Sequence, residues 1–303
     1  MSSEIYYKYP VYRPPAEANS LLIQATEGCS HKCAFCIGNE GKKFLIRPVE
    51  SIKKDIFNAY LNYGDNVRKM FLLDGNAFIM KAESLVEIAE YSYSIHKNLK
   101  RIGLYAHVKD ILLKTDEELK AISNAGIKIA YVGIETGDNE LLNEINKQAT
   151  AEEIIEACHK LYRAGITLSA TIIAGLAGKD KERSIQHAKE TAKLISAIKP
   201  DPVLPWYISI LTLMIPKGTD IYNLQRQGKF IAMDNIEILE EIRVFLSNLD
   251  DGLEKCIFRA NHASNYLPLE SNNLAKNKDK LIEMIDVALN NPRMLKSEFL
   301  RGL

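Results

Sequence analysis

The chain has 303 residues, of which 47% are hydrophobic and 26% are charged, as in an ordinary globular protein. Its 39 lysines and arginines balance 39 aspartates and glutamates, and this zero net charge argues against a protein that grips a long stretch of nucleic acid. No apolar run approaches the ~20 residues of a membrane span, the N-terminus lacks the apolar stretch of a signal peptide, and the five cysteines do not suggest a disulfide framework. We therefore expect a cytoplasmic protein without a membrane segment.

Apolar, β-branched runs alternate with stretches of helical periodicity along most of the chain. Six such runs predict strands, and they cover residues 20–26, 69–74, 101–107, 128–135, 167–175 and 202–214. The stretches between them predict helices; in one of these, Thr115 can cap the first turn and Gly126 can end the helix. This alternation predicts parallel βαβ units, in either an open doubly wound sheet or a full or partial barrel.

Polar or glycine-bearing motifs directly follow four of the predicted strands. They are the loop that begins near Cys29 and the stretches 74–76, 133–137 and 174–178. Both candidate folds place active sites at the carboxyl ends of parallel strands, so these motifs are predicted to share one site. The chain from 216 to 303 reads as mostly helical without a clear linker. We expect one structural unit, with a domain over 1–215 and a C-terminal extension that covers its mouth.

Three of the five cysteines lie close together, as Cys29-x3-Cys33-x2-Cys36. With His31 they could form a Cys3His zinc site, although such closely spaced ligands would be crowded. A thioredoxin-like redox pair of Cys33 and Cys36 would leave Cys29 without a role. A [4Fe–4S] cluster held by three thiolates leaves one iron open to a cofactor or substrate, which is a chemical reason for three cysteines.

This spacing, with Phe35 before the last cysteine and the motif in the loop after the first of six βα units, resembles the radical S-adenosylmethionine (radical SAM) enzymes. The resemblance implies an α/β fold, namely a partial (β/α)6 TIM-like barrel with a mainly helical C-terminal extension. It also implies a [4Fe–4S] cluster on Cys29, Cys33 and Cys36, with S-adenosylmethionine on the open iron. An electron, usually from a flavodoxin or ferredoxin, then cleaves this cofactor to methionine and a 5′-deoxyadenosyl radical.

The same resemblance implies a set of residues around the cofactor. The expected cofactor-binding residues are Phe35, Asp74, Gly75, Asn76, Glu135, Lys147, Ser169, Ile173 and Gly175. In the family a glycine-rich motif meets the methionyl ammonium, but here the motif reads Leu-Asp-Gly-Asn. Backbone carbonyls can accept from an ammonium without any particular side chain, so direct roles for Asp74 and Asn76 are alternatives to a backbone role.

The remaining members of this set have narrower expected roles. Glu135 is expected at the ribose or methionyl end of the cofactor and Lys147 at its carboxylate. Ser169 is expected at the ribose. Phe35 and the stretch 172–178 are expected to pack the adenine, because small residues let backbone approach a ring.

A radical must be shielded from water, so we expect the substrate inside the barrel and beneath the C-terminal tail. The candidate substrate-binding residues lie near strand ends or in the tail, and they are Arg47, Asp74, Tyr105, His107, Trp206, Tyr207, His262 and Asn265. Residues 258–270 are too polar for a core helix, and we expect them to form a loop over the barrel mouth. A flat base would suit stacking on Trp206 or Tyr207, with Asp74 paired to its amidine edge.

The cluster and cofactor that generate the radical are easier to predict than the substrate. We expect the substrate to be a small molecule. Branches of the family that modify tRNA or porphyrins are alternatives; the neutral charge argues against the first, and no second S-adenosylmethionine motif supports the second. A non-catalytic iron–sulfur or zinc scaffold is an alternative from another class, and an iron count separates it. Cys158 and Cys256 are isolated, so a second cluster is not expected.

Overall fold

The computed structural model describes residues 4–301, which form ten strands and ten α-helices. The strands are β1 (Leu21–Gln24), β2 (Thr26–Glu27), β3 (Leu45–Ile46), β4 (Lys69–Leu73), β5 (Arg101–Ala106), β6 (Ile127–Glu135), β7 (Thr167–Ala174), β8 (Trp206–Thr212), β9 (Cys256–Ala260) and β10 (Leu269–Ser271). The helices are α1 (Val49–Tyr63), α2 (Ala82–Ile95), α3 (Val108–Leu113), α4 (Asp116–Asn124), α5 (Asn139–Glu144), α6 (Ala151–Arg163), α7 (Lys181–Ala197), α8 (Asp220–Arg226), α9 (Asn235–Ser247) and α10 (Leu274–Asn290). All six predicted strands are present.

The described chain divides into two compact units. The first contains the residues up to Lys32, Cys36–Val132 and Glu156–Leu168, and the second contains Cys33–Phe35, Gly133–Ile155 and the residues from Ser169 onward. None of the helices within residues 4–301 combines the length and the apolar character that crossing a membrane requires.

In the first unit, β1, β4, β5 and β6 lie side by side in that order and pair in parallel. Strand β4 is buried from Met70 to Leu73, which is typical of a parallel strand covered on both faces. Helices α1 and α2 pack on each other, and the buried residues of their apolar stripes include Ile52, Ile56 and Leu85. The predicted cap of α4 is present, since Thr115 and Glu118 form a capping box.

One face of these strands carries an aromatic cluster. The rings of Phe71, Tyr105 and Tyr131 meet edge to face, with centroids 5.0 to 6.2 Å apart. The hydroxyl of Tyr131 donates to buried Glu17 at 2.5 Å, and Arg101 pairs with the same carboxylate at 2.8 Å. Burial raises the pKa of Tyr105 and of Tyr131, so both phenols stay protonated.

In the second unit, β7, β8 and β9 pair in parallel and β10 runs antiparallel to β9. Helix α9 packs against both α7 and α10. The α/β class with a mostly parallel sheet is therefore confirmed.

The expectation of a loop over residues 258–270 was wrong at both of its ends. Residues from Phe258 to Ala260 complete β9, and those from Leu269 form β10. Strand β9 alternates buried and half-buried positions, the period of two that a strand requires, and this pattern is too short to stand out in the sequence.

Candidate active site

The cysteines lie in a loop that is closed at its base by a short β-ribbon. Strands β2 and β3 pair antiparallel, with Thr26 opposite Ile46 and Glu27 opposite Leu45. Residues 28–44, which include all three cysteines, therefore form a loop that begins and ends at adjacent points of this ribbon. Cys29 and Cys33 are half-buried and Cys36 is exposed.

Hydrogen bonds within the loop fix the backbone around two of the thiols. Asn39 accepts from the backbone N–H of Cys29 at 2.6 Å and donates to the carbonyl of His31 at 2.9 Å. The N–H of Gly38 donates to Cys36 Sγ at 3.3 Å. Such a donor stabilises negative charge on sulfur, as a metal-bound thiolate requires. The loop thus fits a cluster held by cysteine thiolates.

Asp74, at the end of β4, connects both ends of the loop. Its Oδ2 accepts from the N–H of Gly28 at 3.2 Å and from Gln24 Nε2 at 3.3 Å, and it forms an ion pair with Lys42. The side chains of Lys42 and Asp74 are 0% and 2% exposed, so this pair is fully buried. Asp74 was expected at the cofactor or the substrate; its carboxylate contacts the loop, and the expected role stays a prediction.

Asn76 connects the loop to the end of β5. Its Nδ2 donates to Ser30 Oγ at 3.1 Å and to Asp110 Oδ2 at 2.6 Å, while its Oδ1 accepts from the N–H of His107 at 3.1 Å. Between them, Asp74 and Asn76 hold the beginning and the end of the cysteine loop. Gly75, between the two, packs its backbone against Cys29.

His31, His107 and Asp110 place possible metal-binding atoms within 4.8 Å of one another. The two rings stack with centroids 3.4 Å apart, and His31 Nε2 lies 3.4 Å from Asp110 Oδ2. Burial acts to raise the pKa of Asp110, but hydrogen bonds from His31 and Asn76 outweigh it and lower this pKa. His107 Nδ1 accepts from the N–H of Lys109 at 3.2 Å, so this ring also caps the first turn of α3.

In the second unit, Glu135 and Lys147 come together as a buried ion pair, with Oε1 and Nζ 2.9 Å apart. Glu135 ends β6 with a left-handed backbone, φ 64°. Its carboxylate folds back over Gly133, where an added Cβ would lie 2.0 Å from Oε1 and 3.0 Å from Lys147 Nζ. Glycine at 133 therefore makes the space for both charged groups.

Phe35 and Ile173, which are both expected at the adenine, belong to one apolar cluster. Phe35 packs against its buried members, which are Ala34, Leu141, Ile145, Ile173, Leu176 and Ala177. The backbone of Ala34 is held from two sides, since its N–H donates to Ile145 and its carbonyl accepts from Ile221. Ser169 is buried on β7, opposite Tyr207 of β8.

Gly175 follows β7 in a left-handed conformation, φ 91°, and its N–H donates to Glu241 Oε1 at 2.7 Å. The other carboxylate oxygen of Glu241 accepts from Ser184 at 2.6 Å. His187 lies 3.5 Å from Glu241 and 2.7 Å from the hydroxyl of Thr136, in the 133–137 motif. This buried network, which sequence reasoning missed, connects two of the expected cofactor motifs.

The expected substrate-binding residues are dispersed, and several are already engaged. Arg47 pairs with Asp55 at 2.8 Å. Asn265 accepts from Thr212 and donates to the carbonyl of Ile210. Their predicted role in substrate binding stays untested.

The two aromatic candidates on β8 differ in exposure. Trp206 is 0% exposed at the amino-terminal end of the strand, and Tyr207 beside it is half-buried. His262 is also half-buried; burial, and then the charge of Lys296, lowers its pKa.

A family model described as the radical SAM superfamily matches residues 23–191, which is more than half of the chain and includes Cys29, Cys33 and Cys36. The chain belongs to the radical SAM superfamily. Members of this superfamily are enzymes that use a [4Fe–4S] cluster and S-adenosylmethionine, so the expected family and both expected cofactors are confirmed.

Several curated radical SAM relatives are similar over most of this chain. The heme chaperone HemW of Bacillus subtilis (strain 168) is 20% identical over 73% of this chain and 58% of its own length. An uncharacterized protein of Methanocaldococcus jannaschii is 26% identical over 73% of this chain and 69% of its own length. The tRNA-2-methylthio-N(6)-dimethylallyladenosine synthase of Petrotoga mobilis is 25% identical over 78% and 53%. The chain thus spans little more than half the length of the heme chaperone and of the tRNA-modifying enzyme.

Two solved structures show a similar fold. Methylornithine synthase (PylB) has a TM-score of 0.52 at 16% identity, covering 76% of this chain and 63% of that one. The archaeal Elp3 of Methanocaldococcus infernus has a TM-score of 0.52 at 15% identity, covering 88% and 63%. At such low identity the likeness concerns the fold alone.

Proposed function

We propose that this chain reductively cleaves S-adenosylmethionine and directs the resulting radical to a small molecule. One observation carries the proposal: the buried side chains of Asp74 and Asn76 fasten a three-cysteine loop to the carboxyl end of β4. These contacts fix the backbone beside Cys29 and both ends of the loop, and such support is what a preorganised cluster site needs.

The residues of the chain have separate tasks in this proposal. Cys29, Cys33 and Cys36 hold the cluster, which, with S-adenosylmethionine bound, supplies the 5′-deoxyadenosyl radical. Glu135 and Lys147 face the polar part of the cofactor. Their mutual ion pair keeps both charges in place when the cofactor is absent.

The adenine belongs in the apolar cluster around Phe35 and Ile173. Glycine at 175 suits the left-handed turn after β7, where an added Cβ would lie 2.7 Å from Ile238 Cδ1. A buried apolar environment also excludes water from the radical.

For the substrate we propose a 7-deazaguanine nucleoside, namely queuosine or its 5′-phosphate, from which queuine is released by cleavage of the glycosidic C–N bond. The chain resembles queuine lyase in its size, its single three-cysteine loop and its zero net charge. A flavodoxin or ferredoxin would serve as the electron donor.

The test begins with anaerobic reconstitution with iron and sulfide, followed by dithionite and S-adenosylmethionine. Mass spectrometry should detect 5′-deoxyadenosine from the wild-type protein and none from Cys33→Ala. Absence of 5′-deoxyadenosine, together with stoichiometric zinc in the purified protein, would instead assign the loop a structural role.

A substrate panel then tests the finer proposal. The protein is supplied separately with queuosine, its 5′-phosphate, bulk tRNA and coproporphyrinogen. The tRNA and the porphyrin test the alternative functions, because the chain is similar to a tRNA-modifying enzyme and to a heme chaperone. Release of queuine supports the lyase. Modification of tRNA or of the porphyrin, without queuine release, would overturn it.

A further inference from the structure

A cavity of about 630 Å³ lies within the second unit. Its wall includes Gly175, the end of β8 at Thr212 and Leu213, and the C-terminal residues Lys296 and Arg301. This volume falls in the range of pockets that enclose small organic ligands. Because Gly175 is an expected cofactor contact, the cavity borders the place where the radical would be used.

Arg301 is the most unusual group in this wall. Its residue is 4% exposed, its Nε donates to the carbonyl of Ser264 at 2.8 Å, and its Nη1 donates to Tyr266 at 2.8 Å and to Glu298 at 2.5 Å. The guanidinium also lies over the Tyr266 ring at 4.4 Å. Its Nη2, by contrast, has no hydrogen-bond partner among the described residues. A buried N–H group of a cation without a partner is costly, so this position asks for an acceptor.

The two cations of the wall are less fully engaged than its two carboxylates, and this difference favours an anion as that acceptor. Lys296 lines the same cavity, and within residues 4–301 its ammonium forms no ion pair. The acidic groups of the wall are occupied: Glu298 accepts from Arg301 and Tyr266, and Asp234 caps α9 and pairs with Lys179. Among the charged groups of the wall, Arg301 Nη2 and the Lys296 ammonium are therefore the ones with hydrogen-bonding capacity left within the described residues.

We infer that this cavity is a subsite for an anionic group of the substrate, a phosphate or a carboxylate, held by Arg301 and Lys296. A guanidinium fixed by three hydrogen bonds and an aromatic face is preorganised for an oxyanion. The inference rests on the proposed function, because it places the anionic end of the substrate beside the cofactor.

The test measures anion binding alone, without reductant or S-adenosylmethionine. The melting temperature of the full-length protein is followed with increasing inorganic phosphate, sulfate or acetate, against potassium chloride at equal ionic strength. Comparison of variants at the same anion concentration removes the general stabilising effect of these salts. Saturable stabilisation by phosphate is expected, and stabilisation by acetate instead would identify the group as a carboxylate.

Two variants and one control complete the design. Lys296→Ala, at a half-exposed position, should bind the anion about tenfold more weakly, the cost of one charge-assisted hydrogen bond. Arg301→Lys keeps the charge but removes the fork, and should weaken binding similarly. Lys193→Ala, at a lysine whose side chain is 80% exposed, is the matched control and should bind as the wild type does.

The inference is overturned if no anion shows saturable stabilisation, or if Lys296→Ala binds as tightly as the control. A wild-type protein that binds phosphate but forms no 5′-deoxyadenosine would contradict the proposed function and leave the anion subsite standing. A protein that forms 5′-deoxyadenosine without binding either anion would contradict the subsite alone.

Discussion

A Cβ atom added to Gly75 would lie 2.7 Å from Cβ and 3.3 Å from Sγ of Cys29. The backbone after β4 therefore supports the first cysteine directly, with no room for a side chain between them. The same turn supplies Asp74 and Asn76, whose side chains hold the rest of the loop. The position of Cys29 depends on this turn as well as on the loop itself.

We expect Gly75→Ala to displace Cys29 and to lower iron binding about tenfold, the scale seen when groups that orient metal ligands are changed. Iron and sulfide are counted after reconstitution, with about four of each per wild-type chain. Gly252→Ala is the matched control, because its added carbon would meet only the end of the Lys199 side chain, at 3.5 Å. A full complement of iron in Gly75→Ala would contradict the supporting role of this backbone.

The buried pair of Lys42 and Asp74 gives a second prediction. Lys42→Met would leave the Asp74 carboxylate buried without its counter-charge, so the free energy of unfolding should fall by about 3 kcal/mol. Lys42→Met combined with Asp74→Asn should recover part of this loss. Urea unfolding of the single and double variants measures the coupling. Lys43→Met, at the exposed neighbouring lysine, serves as the control. Equal losses in Lys42→Met and Lys43→Met would contradict the prediction.

Only part of this fold and site can be predicted from the amino-acid sequence. Continuous apolar runs identified the six strands. A parallel strand that is buried on both faces is apolar along most of its length, so its own residues are enough to predict it. The contacts of Asp74 could not be predicted, since Gly28 and Lys42 lie 46 and 32 residues away in the chain. The sequence also cannot predict that Arg301 Nη2 lacks a hydrogen-bond partner, because the acceptors near each donor are known only once the chain is folded.

Loss of the Glu135 charge should weaken the binding of S-adenosylmethionine as well as the fold, because it leaves Lys147 buried without its counter-charge. Glu135→Gln keeps the size of the side chain but removes the charge that faces Lys147, 2.9 Å away. When formation of 5′-deoxyadenosine is followed, we expect the KM for S-adenosylmethionine to rise about tenfold, the scale for loss of a charge-assisted contact. Glu140→Gln, at an exposed position on α5, is the control. An unchanged KM in Glu135→Gln would show that the pair is only structural.

His96 should make the stability of the fold depend on pH. Burial lowers its pKa below 6.5, although a hydrogen bond to the carbonyl of Gly64 opposes this effect. Below pH 6.5 the unfolded chain therefore takes up a proton that the folded chain resists, and the free energy of unfolding falls as the pH falls toward the folded pKa. The slope contributed by one proton is at most about 1.4 kcal/mol per pH unit.

His96→Gln, which retains a donor for Gly64, should remove this contribution. Urea unfolding of both proteins over a series of pH values isolates it, because the other titrating groups are shared. The difference in unfolding free energy between wild type and variant should shift in favour of the variant as the pH falls. A difference that stays constant with pH would exclude His96 as the titrating group.

Glu241 is expected to position the turn at Gly175 rather than to contact the cofactor. Its carboxylate is buried and accepts from the N–H of Gly175 and from Ser184. Glu241→Gln keeps an acceptor for Gly175, whereas Glu241→Leu leaves that N–H without a partner, at a cost of about 1–3 kcal/mol.

The KM for S-adenosylmethionine should therefore rise in Glu241→Leu and return toward the wild-type value in Glu241→Gln. The turnover rate for cofactor cleavage should change less than the KM, because the turn borders the binding site and not the reacting atoms. Melting temperatures separate this effect from a general loss of stability. If both variants melt lower by the same amount and neither changes the KM, Glu241 is a core residue without influence on the cofactor site.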